Sequence, residues 1–103
     1  MSDSIYSRTV KVVNPQGLHL RPAHRFAEIA SKFDSKIDVV KDDLRIDGKS
    51  VLSILTLGAG PGSEVSLEGD GPDAQQAVDA LAELVESGFG IEESSEQVNE
   101  QES

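Results

Sequence analysis

The chain of 103 residues carries 19 acids against nine bases, a formal net charge of −10, and no cysteine. That length supports a single core but no cleft between two domains, and the missing cysteines exclude disulfides, thiolate metal sites and cysteine nucleophiles. A strongly acidic chain is ill suited to a nucleic-acid partner, because such binders neutralise phosphates with lysine and arginine.

The first element is "IYSRTVKVV" at 5–13, whose branched and aromatic residues with partial alternation predict a strand buried on one face. "NPQG" follows as a loop with two breakers. Pro22 suits the first turn of a helix, where its missing N–H is no loss, and the helix is predicted to run from there to about Phe33. Ala23, Phe26, Ala27, Ala30 and Phe33 recur at helical spacing as its buried stripe. "KIDVVK" at 36–41 reads as a second strand, "DD" as a turn and "LRI" at 44–46 as a short third strand. In "KSVLSILTLG", Ser50 suits the cap of a short helix that Gly58 would stop, though so short an apolar run also reads as a buried strand. "SEVSLE" at 63–68 alternates as a strand. In the last helix Pro72 stands near the start, Asp73 favours the positive N-terminus and Gly88 takes the place of a left-handed cap, with Ala74, Ala77, Val78, Leu81, Leu84 and Val85 facing inward.

Strand, helix, strand, strand, helix, strand, helix is the order of a small α+β domain, an antiparallel sheet with helices stacked on one face. The domain is expected over residues 1–90. Residues 91–103 hold five acids and no base, and are expected to form a disordered tail. The start "MSDSIYSRTV" has no basic segment leading into an apolar run, and no stretch nears the roughly 18 apolar residues of a membrane span. A cytoplasmic monomer without a membrane partner is the expectation. All nine bases fall between Arg8 and Lys49, where they face seven acids within residues 1–49, whereas residues 50–103 hold twelve acids and no base. The first half is the one that would meet an acidic partner.

That half contains "NPQGLHLRPAH" at 14–24. If a helix opens at Pro22, the backbone N–H groups near Leu20 and Arg21 lack intrahelical partners and, with the helix dipole, attract phosphate-like anions. His19 stands at their edge, and a neutral imidazole nitrogen is a nucleophile toward phosphorus. Arg21 adds a forked cation for phosphoryl oxygens, and Gly17 lets the loop turn and a partner's backbone come close. Spacing alone leaves open that His19 is merely an exposed or capping residue. His24, five residues on, is expected at the helix surface, and two histidines at that spacing without a third ligand make no metal site.

"GLHLRPA" at 17–23 resembles the active-site motif of HPr, the histidine-containing phosphocarrier family of the bacterial phosphoenolpyruvate-dependent sugar phosphotransferase system. "DGKSVLSILTLGAGPGSEVSLEGDGPDAQQAVDALAELVESGFG" is similar to the family's second half in spacing and character, so the resemblance covers about residues 5–90. It implies an open-faced β-sandwich of βαββαβα order, four antiparallel strands with three helices. It also implies that phosphorylated enzyme I donates a phosphoryl group to Nδ1 of His19 and that the group passes on to an enzyme IIA domain, with Arg21 assisting. The protein would be a carrier without turnover of its own, using no cofactor and no metal. Leu20, Val51, Leu52 and Leu55 would contribute to docking. In some members the serine matching Ser50 is phosphorylated by a dedicated kinase, the HPr serine kinase/phosphorylase, and charge added there would repel an acidic partner. The sequence departs from the common pattern at Leu20, where a small residue often sits, and at Glu28 and Ser31, which are often basic. Two alternatives remain at this point: a nitrogen-related regulatory carrier, and a docking regulator switched at Ser50 with His19 idle. His19 and Arg21 together favour transfer.

Overall fold

A computed structural model describes residues 5–90, so the expectations for 1–4 and for the acidic segment 91–103 lie outside the described residues. Its elements in chain order are β1 (Ile5–Lys11), α1 (Leu20–Ala30), β2 (Lys36–Lys41), β3 (Leu44–Asp47), α2 (Val51–Thr56), β4 (Glu64–Asp70) and α3 (Ala74–Glu86), followed by a short 3-10 turn at Gly88–Gly90. The four strands form one antiparallel sheet in the order β1-β4-β2-β3.

Alternation decides which side of the sheet is dry. In β4, Val65 and Leu67 point inward, pairing with Val10 and Arg8 of β1 in register, while Leu67 also stands opposite Val39 of β2. Ala23, Phe26, Ala27 and Ala30 of α1 and Ala77, Val78, Leu81 and Val85 of α3 close over those residues. Burying a ring such as that of Phe26 stabilises by about 1.5–3 kcal/mol, and neither helix stripe has another surface to cover it. The opposite face of the sheet stays polar. There Arg45 donates to Asp38 (3.0 Å) and to Glu68 (2.6 Å), and the Thr9 and Ser66 hydroxyls lie 3.2 Å apart. The helices thus cover one face only, as the element order predicts. No helix among the described residues is long and apolar enough to cross a membrane.

Several boundaries differ from the sequence reading. Helix α1 opens at Leu20, two residues before Pro22, and ends at Ala30, leaving Phe33 half-buried in the following turn. A proline in third place costs nothing, because every amide of the first turn lacks an acceptor within the helix. Strand β1 stops at Lys11 and not at Val13. The Val12 N–H donates to the Ser63 carbonyl (2.8 Å) while the Val12 carbonyl accepts from Gly62 (2.7 Å). Two residues therefore face one, which ends regular pairing much as a bulge does. Between the two readings of residues 49–58, the helix holds. Its Ser50 Oγ accepts from the Ser53 N–H at 3.2 Å, a cap of about 1 kcal/mol, and Gly58 (φ +64°) follows its end. In α3, Leu84 is half-buried where the stripe predicts a buried residue.

Asp73 also acts differently from a simple N-terminal charge. It is the N-cap of α3, yet its carboxylate makes no cap bond and instead accepts from the Asp34 N–H (3.0 Å), the Ser35 N–H (2.9 Å) and the Ser35 hydroxyl. The Ser35 hydroxyl oxygen in turn accepts from the Asp73 N–H at 3.1 Å. This staple ties the turn before β2 to the start of α3. Chiefly through the Ser35 hydroxyl, it holds the Asp73 carboxyl below the ordinary aspartate range. A carboxyl lowered by folding stabilises above its unfolded pKa, and that stabilisation disappears as pH falls through the folded value. Asp73→Asn is therefore expected to melt at lower temperature than wild type at neutral pH. The gap should narrow once pH drops below about 4, where aspartate in the unfolded chain begins to hold its proton. Thermal melts across that range measure it, and a gap independent of pH would contradict the assignment.

Candidate functional site

The site grows from the loop between β1 and α1. Asn, Pro and Gly at the first, second and fourth places of "NPQG" suit a tight turn, and the Gly17 N–H donates to the Asn14 carbonyl at 3.1 Å. The Asn14 side chain adds a second link, Nδ2 to the Gly17 carbonyl at 2.8 Å. Gly17 has φ +68°, and a Cβ on it would sit 2.6 Å from the Ala59 carbonyl oxygen and 2.8 Å from the Gly60 Cα. Only glycine fits that approach without strain. The buried Leu18 then donates its N–H to the same Ala59 carbonyl at 2.8 Å, stitching the loop to the segment between α2 and β4.

His19 follows as the N-cap of α1, with extended backbone (φ −99°, ψ −159°). Its carbonyl accepts from the Ala23 N–H at 2.8 Å, but its side chain makes no cap bond and lies exposed. Behind it, the amides of Leu20 and Arg21 have no intrahelical acceptor, and no acid stands in the first turn. Arg21 is exposed and forms no salt bridge among the described residues. A nucleophilic ring, unspent amides at a helix N-terminus and a free guanidinium therefore meet at one end of α1. Together they can receive a tetrahedral anion and offer it a nitrogen.

The other sequence candidates separate by exposure. Leu20 is 63% exposed and Leu52 is 77% exposed, on two helices that pack against each other. Val51 and Leu55 are half-buried against the core, and Ile54 is fully buried. Ser50 is half-buried at the start of α2, its oxygen engaged by the Ser53 N–H. Next to it, Lys49 Nζ donates to the Phe33 carbonyl just beyond α1 at 2.8 Å. His24 and Glu28 are exposed on α1, and Ser31 is exposed as its C-cap. Among the described residues, no three histidine or acidic side chains cluster as metal ligands. Asn14 is the residue that sequence reasoning missed. The signal was present, since asparagine favours the first position of a turn with proline second and glycine fourth.

The family model described as the PTS HPr component phosphorylation site matches residues 6–87. The phosphocarrier protein HPr of Treponema pallidum (strain Nichols) is 42% identical over 82 residues, covering 80% of this chain and 93% of that protein. The phosphocarrier protein NPr of Shewanella violacea is 40% identical over 82 residues, covering 80% of this chain and 90% of that one. Among solved structures, HPr-C-His from Thermoanaerobacter tengcongensis superposes with a TM-score of 0.81 at 42% identity, covering 84% of this chain and 97% of its own. A sequence match over residues 6–87, and a matching fold, make this chain a member of the HPr family, the phosphocarriers of the phosphotransferase system.

Proposed function

We propose that His19 is the phosphoryl acceptor of this carrier and that Arg21 and the first amides of α1 hold the transferred group. The observation that carries this reading is the exposed His19 ring, without a partner among the described residues, at the N-terminus of a helix whose first amides and neighbouring Arg21 are likewise uncommitted among those residues. The Nδ1 lone pair attacks phosphorus of a phosphohistidine on enzyme I. A new N–P bond forms as the donor's N–P bond breaks, and the donor nitrogen leaves with the electron pair. The second transfer runs the same exchange toward an enzyme IIA histidine. Phosphoryl transfer needs positioning and charge neutralisation more than covalent help from the protein. Arg21 and the helix amides supply the neutralisation, and the partner supplies the rest. The chain returns to its starting state after each pair of transfers, so it is a carrier and not an enzyme.

Leu20 and Leu52 form the exposed apolar part of the docking face, with Val51 and Leu55 supporting from beneath. The carrier works as a monomer in the cytoplasm. Ser50 is a regulatory position for a serine kinase, since a phosphate there would add charge beside that face. A second reading draws on the likeness to the Shewanella violacea NPr: the chemistry is the same, and the group flows to a regulatory acceptor.

The test is to incubate the protein with phosphoenolpyruvate, magnesium and enzyme I, and to record phosphorus NMR with intact mass. One acid-labile phosphoramidate per chain is the expected result. An unmodified chain beside an active enzyme I from the same organism would overturn the reading and favour a docking regulator.

A further inference from the structure

Asn14 and Ser35 are the two buried polar residues among those described, and only Asn14 is left incompletely satisfied. It is 4% exposed, and its Oδ1 is the one buried side-chain oxygen or nitrogen among the described residues without a hydrogen-bond partner. An orphaned buried acceptor is a cost, and such costs persist where the surrounding structure gains something by them. The gain is visible on the other side of the same amide, where Nδ2 holds the Gly17 carbonyl at 2.8 Å. For stability alone the two effects offset, since an apolar residue would lose the bond and the orphan together.

What does not offset is geometry. The Gly17 carbonyl belongs to the peptide plane that also carries the Leu18 N–H, which donates to the Ala59 carbonyl at 2.8 Å. One residue later stands His19, whose ring has no hydrogen-bond partner among the described residues. A ring without a partner takes its direction from the backbone that carries it. In-line transfer between two nitrogens depends on that direction, and a displacement of about 1 Å can cost a hundredfold in rate.

We infer that Asn14 is a positioning residue for phosphoryl transfer: its amide fixes the Gly17–Leu18 peptide plane and thereby the aim of the His19 ring. This rests on the reading of His19 as the phosphoryl acceptor. Asn14 makes its one side-chain hydrogen bond to the Gly17 carbonyl and is itself buried, unlike the exposed leucines of the docking face.

The experiment compares wild type, Asn14→Ala and Asn14→Ser as substrates of phosphorylated enzyme I, varying carrier concentration to separate maximal rate from KM. Asn14→Ala should lower the maximal rate by about tenfold to a hundredfold with KM unchanged. Asn14→Ser, whose hydroxyl can donate to a nearby carbonyl, should recover part of it. Thermal melts of both variants give the folded fraction at the assay temperature. A rate within twofold of wild type, a loss confined to KM, or a loss that follows the unfolded fraction would each overturn the inference. Should Asn14→Ala fail to fold, Asn14→Ser decides by the same criteria. If wild type itself takes no phosphate, the acceptor reading has failed and not the role of Asn14 within it.

Discussion

His19→Ala is expected to accept no phosphate from enzyme I while melting within a few degrees of wild type. Both halves follow from where the side chain sits. The ring is exposed and forms no cap bond, so its removal takes nothing from the core and only the small backbone preference of an N-cap position. Surface changes of that kind stay within about 0.5 kcal/mol. The chemical effect should be total, because the amide nitrogens at the start of α1 and the Arg21 guanidinium hold an anion through their N–H groups but have no free lone pair with which to bond phosphorus. Intact mass after incubation with phosphoenolpyruvate and enzyme I gives the answer directly. Phosphate appearing on His24 in the variant would mean that the acceptor is chosen by reach and not by this loop.

Gly17→Ala should be a severely damaging single-methyl change, lowering stability by about 2–4 kcal/mol. Alanine at φ +68° carries the left-handed penalty, and its Cβ would lie 2.6 Å from the Ala59 oxygen, a backbone atom that no rotamer change can move aside. Relief requires the loop to draw away from residues 59–60, which breaks the Leu18 to Ala59 hydrogen bond. Chemical denaturation should show a lower midpoint with an unchanged slope, since the folded state buries the same surface. Phosphate uptake should slow even at temperatures where the variant is fully folded, because the displaced loop carries His19. A loss below about 1 kcal/mol would show that the two loops part easily and that the close approach is incidental.

Local signals made most of this legible. Ser50 put a capped helix beside the strand reading of its segment, because a serine oxygen three residues before a free amide is a short-range arrangement, and alternation in "SEVSLE" marked the strand that became β4. His19 and Arg21 stood out through their spacing from Gly17 and Pro22, and the family resemblance turned that spacing into a function. Other features depended on contacts that no local window contains. The Asp73 carboxylate looked like a helix-terminus charge, but its partners lie 38 and 39 residues away. The end of β1 was set by Gly62 and Ser63 across the sheet, and the start of α1 by an extended His19 instead of by Pro22. Asn14 was hidden for a similar reason: its turn was readable, but its burial was not.

The bareness of His19 bears on what the carrier can record. Nothing among the described residues roofs the ring, so water would reach a phosphoramidate formed there as freely as a docking protein would. A loaded molecule is then a perishable message. Its survival would be governed by the solution and by how soon a recipient calls, and the loaded fraction at any moment would track recent supply against recent demand. A lidded site would keep the group longer and say less about the cell's present state.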